Sequence, residues 1–167
     1  MGGASDTRDV GCDAICDDLW VPKLVMERLI EAARIIQYTT GPVGPRGYGS
    51  GLPASFLAMM GGLDESAEDR AWWERASAEE PERPKMRITA RKMTLAEEAI
   101  WWPARYLEQH DGPRRVLALY LRCKVLRVPF DAACKRKKWS RATAYRARDR
   151  AAGIIAQGLN RDRVPVR

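Results

Sequence analysis

Residues 135–150 read KRKKWSRATAYRARDR, a run in which guanidinium and ammonium groups alternate with hydroxyls, a tryptophan and a tyrosine. Such groups bind polyanions. Arg forks onto guanine edges or phosphate oxygens, Lys acts as a point charge on phosphate, and Tyr stacks or hydrogen-bonds to the backbone. Lys135, Arg136, Lys137, Lys138, Ser140, Arg141, Thr143, Tyr145, Arg146, Arg148 and Arg150 are therefore the candidate DNA-binding residues. Within this set Lys135–Lys138 suit phosphates, while Arg141, Tyr145 and Arg148 fall one turn apart with Ala152 on one helical face, flanked by Arg146 and Arg150. That row is the candidate groove-reading face.

Other reactive side chains do not assemble a catalytic set. The single histidine, His110, precedes Asp111-Gly112-Pro113, a helix boundary rather than a general-base setting. Glu79-Glu80 and Glu97-Glu98 read as solvated or capping pairs on helices. GPVGPRGYGSG lacks the Gly-Lys-Ser/Thr of a nucleotide-binding loop, so it reads as a connecting loop in which Arg46 and Tyr48 are open to a partner. Cys12 and Cys16 lie near each other, but Cys123 and Cys134 lie on distant apolar helical faces, and zinc would require closer pairs with histidine. No enzyme activity, metal or cofactor is expected.

Charge is divided along the chain. Of the net +7, residues 111–167 carry 16 Lys/Arg against four Asp, a balance of +12, and the first 110 residues carry 13 against 18, a balance of −5. A basic C-terminal module meeting a polyanion beside an acidic N-terminal region with another task fits that division. The opening MGGASDTRDVGCDAICDDLW has acids where a signal peptide has bases, and no run approaches the ~18 apolar residues of a membrane helix. A cytoplasmic, nucleoid-associated protein with reduced thiols and no membrane contact is expected.

With 46% apolar residues, six tryptophans and an Ala/Arg/Glu/Leu-rich composition, the chain can bury a core made of helices. Residues 1–19 read as a flexible acidic N-terminus. Residues 20–110 read as a helical region interrupted by a Gly/Pro-rich loop at 41–53 and a linker at 81–92. VPKLVMERLIEAARIIQY opens with Pro22 and repeats apolar residues at Val25, Met26, Leu29, Ile30, Ala33 and Ile36, a helical stripe. DESAEDRAWWERASAEE predicts a second helix with acids in its first turn. The TLAE at 94–97 predicts a helix start with a capping box. That helix directs Leu95, Ala99, Trp102, Tyr106 and Leu107 to the core, and Pro103 kinks or splits it. In Trp72-Trp73 and Trp101-Trp102 only one of each pair can face a core.

Residues 111–160 follow as a basic domain. A helix capped by Asp111 runs to about Val125, with Val116, Leu117, Leu119, Tyr120 and Cys123 available for burial. A short helix begins after Pro129, and Ser140 caps a helix from Arg141 to about Gln157. Short helix, tight turn and second helix form the pattern of a helix-turn-helix. Ala132, Ala133 and Cys134 permit a close crossing, and Ala144, Ala147, Ala151, Ile154 and Ile155 give the second helix its apolar underside. Residues 161–167 form a basic tail. The predicted fold is all-α, a helical bundle with a C-terminal helix-turn-helix module.

FDAACKRKKWSRATAYRARDRAAGIIAQGL resembles the helix-turn-helix of sigma-factor region 4 and of many phage proteins. Ser140 and Thr143 match the usual Ser-x-x-Thr, whereas Lys137 and Lys138 stand where that pattern has Leu-Gly. Residues 113–162 look like the end of phage-21-type Q antiterminators. The layout from LWVPKLVMERLIEAARIIQ onward resembles proteins of α-proteobacterial phages and gene transfer agents. The resemblance implies a transcription regulator, monomeric or dimeric, that binds double-stranded DNA near a promoter. It further implies contact with RNA polymerase, with or without its sigma factor, and read-through of terminators. The alternative is a small terminase subunit that recognises DNA for packaging and assembles as a ring.

Overall fold

A computed structural model of the protein describes residues 19–39, 66–77 and 88–166; Cys12, Cys16, the 41–53 segment with Arg46 and Tyr48, and Glu79-Glu80 lie outside them. The described residues form six helices and no strand: α1 (Pro22–Thr39), α2 (Ala67–Ser77), α3 (Ala90–Tyr106), α4 (Asp111–Leu126), α5 (Phe130–Arg136) and α6 (Arg141–Arg161). The fold is an all-α bundle.

Helix α4 organises it. Val116 to Cys123 are buried without a break, so this helix is covered on all sides, as an interior helix must be. Its two faces belong to two apolar clusters. Leu117, Ala118, Leu121 and Val125 join Val25, Leu29, Ala32, Ala33 and Ile35 of α1, Ala96, Ala99, Ile100 and Trp102 of α3, and Ala151, Ile155, Ala156 and Leu159 of α6. Val116, Leu119, Tyr120 and Cys123 join Trp73 of α2, Phe130, Ala133 and Cys134 of α5, and Ala144 of α6. The acidic and basic halves of the chain thus close around one central helix. Arg122, also on α4, is fully buried with its guanidinium 4.3 Å from the Trp73 ring centroid, and burial lowers its pKa to about 10. Burial likewise pushes the Cys123 thiol up to about 12, the behaviour of an inert core cysteine.

Several boundaries differ from the sequence expectation. Helix α3 starts at Ala90, not Thr94, because the Thr89 hydroxyl accepts from the Lys92 amide at 3.3 Å. Thr94 instead donates to the Ala90 carbonyl one turn back, so residues 90–92 of the expected linker are helix. Pro103 therefore sits in the last turn and leaves α3 one element, with its own ring buried and its carbonyl accepting from Leu107. Asp111 lies in the first turn of α4 rather than at its cap; His110 holds the cap position with no side-chain hydrogen bond. Leu95 and Tyr106 are half-buried, and Ala96 and Ile100 take the inner places. Helix α6 continues four residues past Gln157, to Arg161.

Its end is fastened to the start of α1. The Trp20 amide donates to Asn160 Oδ1 at 2.8 Å, Asn160 Nδ2 donates to the Trp20 carbonyl at 2.9 Å, and the Trp20 indole donates to the Val164 carbonyl at 2.8 Å. The Trp20 ring then meets Trp102 edge-on, with centroids 5.0 Å apart. Residues 164 and 166 pack on the same cluster, so the expected basic tail is partly a core strap.

Candidate nucleic-acid interface

Helix α5 begins after Pro129 and lasts seven residues. Phe130 anchors it, edge-on to Tyr120 of α4 and to Tyr145 of α6, each at 5.2 Å between centroids. Ala133 and Cys134 are buried beside Ala144, which lets α6 approach closely; Ala132, also expected at the crossing, is exposed.

The turn between the helices has a specific geometry. Trp139 N–H reaches back to the Cys134 carbonyl at 2.9 Å, and Lys138 N–H to the Lys135 carbonyl at 3.1 Å. This six-to-one and five-to-two pairing closes a helix C-terminus through a left-handed residue, here Lys138 at φ 56°. Lys138 thus performs the turn that the related pattern gives to glycine, at a backbone cost of ~1 kcal/mol. The same pairing ends α6 at Arg163 (φ 53°), and α4 ends at a left-handed Arg127 (φ 56°) with the Arg127 and Val128 amides both on the Cys123 carbonyl. A cation at each of these ends complements the negative pole of the helix.

Ser140 occupies the N-cap position of α6 with extended backbone, but its hydroxyl makes no capping bond. The Ala144 amide bonds the Ser140 carbonyl at 2.9 Å, so the start rests on the backbone. The expected side-chain cap is replaced by an exposed hydroxyl.

The expected reading face divides. Arg141 pairs with Asp131 Oδ2 at 3.2 Å, and the Tyr145 hydroxyl donates to Asp131 Oδ1 at 3.3 Å. The Arg148 guanidinium lies 4.9 Å from the Tyr120 centroid and 4.8 Å from that of Tyr145, and also binds the neighbouring Asp149. Its side chain is 20% exposed, against 72% for Arg141. Ala152, placed in the same row, is buried. The row 141–145–148–152 is therefore the seam against α4 and α5, and only its Arg141 end is open. Burial and the Asp131 carboxylate push the Tyr145 phenol up, keeping it protonated as the donor in this seam.

Outward lie Ala142, Thr143, Arg146, Asp149 and Arg150. Thr143, Arg146 and Arg150 border a groove of about 660 Å³ between the starts of α4 and α6. Val116, Trp139, Ala144 and Ala147 line its apolar part, while Lys138 and Arg115 add further cations. Arg115 was absent from the sequence set, since it precedes the basic run by twenty residues and only the packing of α4 on α6 brings it in.

Two further members of the run are engaged by α2. Asp69 of α2 accepts from Arg136 Nε through Oδ1 at 2.9 Å and from Lys137 Nζ through Oδ2 at 2.7 Å. The Lys137 and Arg136 hydrogen bonds, opposed by burial, hold the Asp69 carboxyl below its ordinary value. Sequence periodicity carries no signal for this contact, because it joins residues 67 and 68 positions apart. Lys135 and Lys138 remain exposed.

Among the described residues no group of three His, Cys, Asp or Glu could hold a metal ion, and no helix is long and apolar enough to cross a membrane. No protein-family model matches the chain, and no curated protein or solved structure matches it either.

Proposed function

We propose that this chain is a double-stranded-DNA-binding transcription regulator of the phage type, in which α5, the Lys138 turn and α6 act as a helix-turn-helix. The observation that carries the reading is the outward face of α6. Thr143, Arg146 and Arg150 project from a helix whose opposite side is packed on α4, with Lys138 and Arg115 around them. A helix is about 10–12 Å across, and the major groove is about 12 Å wide. Arg146 and Arg150, one turn apart, are the residues for base edges or the flanking phosphates; Lys135, Lys138, Arg141 and Arg115 supply backbone contacts. In this reading α1 and α3 offer the surface for RNA polymerase, where Trp101 stands 60% exposed beside buried Trp102. Antitermination at a promoter-proximal polymerase is the form of regulation that the sequence resemblance implies.

Binding to duplex DNA across a salt series tests it. Six cations on phosphates give a slope of log K against log salt of about −5. An affinity insensitive to salt would end the DNA reading. Retention on RNA polymerase, with and without sigma factor, tests the regulatory part, and no retention on either form would remove it. A mass in solution of one or two copies is expected; a ring of many copies would move the protein to the packaging class.

A further inference from the structure

The contact of α2 with the basic run has a chemistry of its own. Asp69 offers one oxygen to Arg136 and the other to Lys137, as two phosphate oxygens would. The carboxylate is sheltered, with its side chain 15% exposed, on a helix anchored by tryptophans. Trp73 is buried in the cluster of Tyr120, Phe130 and Ala133, and Trp72 lies under the Arg136 guanidinium at 5.8 Å. The Ser66 hydroxyl accepts from the Asp69 amide at 3.1 Å and starts the helix at that point. An acid held this way on two cations of a phosphate-binding run competes with any phosphate for them.

We propose that α2 is an internal competitor for the DNA backbone, with Asp69 occupying the phosphate position on Arg136 and Lys137 until duplex DNA displaces it. This rests on the DNA-binding reading above and describes its regulation. In the closed state the two cations are withheld, so DNA must first break the Asp69 contacts and binds less tightly than the basic run alone would allow. Displacement frees Asp69 together with the helix that carries it, which makes α2 the element whose position reports whether DNA is bound.

The experiment compares wild type, Asp69→Asn and Glu68→Gln on a random-sequence duplex from about 50 to 200 mM salt. Glu68→Gln removes the same charge from an exposed position of the same helix. Asp69→Asn is expected to bind roughly tenfold more tightly at the low-salt end with a slope within about half a unit of wild type, because Arg136 and Lys137 reach phosphates in both complexes. Glu68→Gln is expected to leave the affinity within about twofold of wild type, and Arg136→Gln with Lys137→Gln to cancel the gain in the Asp69→Asn background. In wild type, amides 67–77 are expected to exchange faster when duplex is added. Wild type that binds DNA as tightly as Asp69→Asn, an equal gain from Glu68→Gln, or slower exchange of α2 on binding would each overturn the competition while leaving the DNA reading in place. Failure of all three proteins to bind at low salt would overturn the DNA reading itself.

Discussion

Asn160 binds both backbone polar groups of Trp20, accepting from its amide and donating to its carbonyl across 140 residues of sequence. An amide side chain holds its donor and its acceptor side by side on one planar group, and so serves both at once. Asn160→Ala leaves a part-buried donor and acceptor without their partners, and a loss of ~2–3 kcal/mol is expected in urea unfolding. Asn160→Asp keeps the acceptor and loses the donor, so a smaller loss is expected.

The two glycines of α6 should respond with opposite signs. A Cβ at Gly153 would meet nothing within 4 Å, so Gly153→Ala is expected to stabilise by ~0.5–1 kcal/mol through helix propensity. A Cβ at Gly158 would run into the Tyr106 ring, which the bond from its hydroxyl to Asp162 Oδ2 at 2.9 Å holds in place. Gly158→Ala is expected to destabilise by ~1–3 kcal/mol. Thermal unfolding of both variants checks the pair.

Lys138→Gly is expected to stabilise the fold by ~1 kcal/mol, because glycine enters the left-handed turn without the Cβ penalty. The same change removes a cation, so the salt slope of DNA binding should become shallower by about 0.9. Lys138→Ala should show the second effect without the first. Equal stability of the Gly and Ala variants would show that the turn does not require the left-handed conformation.

Arg146 and Arg148 separate reading from packing. Arg146→Ala or Arg150→Ala is expected to weaken binding to a specific site by ~1–3 kcal/mol where the side chain reads a base, with unfolding nearly unchanged. Arg148→Ala removes a cation held between two tyrosine rings, so a loss of ~0.5–2 kcal/mol in stability is expected. Should Arg148→Ala abolish specificity while the fold stays intact, the outward face has been assigned to the wrong residues.

The Asp69 contact predicts an acid-side dependence. Its carboxyl is depressed in the fold below the ordinary 3.8, chiefly by the Lys137 hydrogen bond, so folding favours the ionised form. The stabilisation is complete above that ordinary value and is lost as pH falls through the depressed one. The urea midpoint of wild type should therefore exceed that of Asp69→Asn by a constant amount well above the ordinary value and converge on it as pH falls below that value. A difference that widens on acidification would mean that the carboxyl binds its proton more readily in the fold.

Much of the bundle is legible in residue spacing. The Val25–Leu29–Ala33 stripe and the alanine underside of α6 point inward as their period requires, and one Trp of each adjacent pair is buried. What the period does not supply is the neighbour on each flank. A stripe of three- and four-residue steps leaves two lateral faces on α6, and Tyr120 and Phe130, from other helices, decide that the Tyr145–Arg148 side is covered. The helix ends at Arg127 and Arg163 carry no mark in the sequence for a different reason, whereas Lys138 stands at the glycine position of the turn pattern. Glycine is the usual mark of a left-handed cap, and here each place is filled by a cation. Thr89 and Thr94 present the same hydroxyl five residues apart, and only the fold chooses between them.

The clasp between Trp20 and Asn160 also sets an order of events during synthesis. A ribosome adding about 5–20 residues per second takes roughly 7–28 s to travel from one to the other. For that interval α1 has emerged with its apolar stripe while Ile155 and Leu159, its partners on α6, are still unmade. The nascent chain must keep that stripe covered, by α3 and α4 or by a chaperone, until the helix carrying the candidate DNA face completes the core. Presentation of the interface, in the first turns of α6, and closure of the fold, in its last turns, are thus separated by less than the length of one helix.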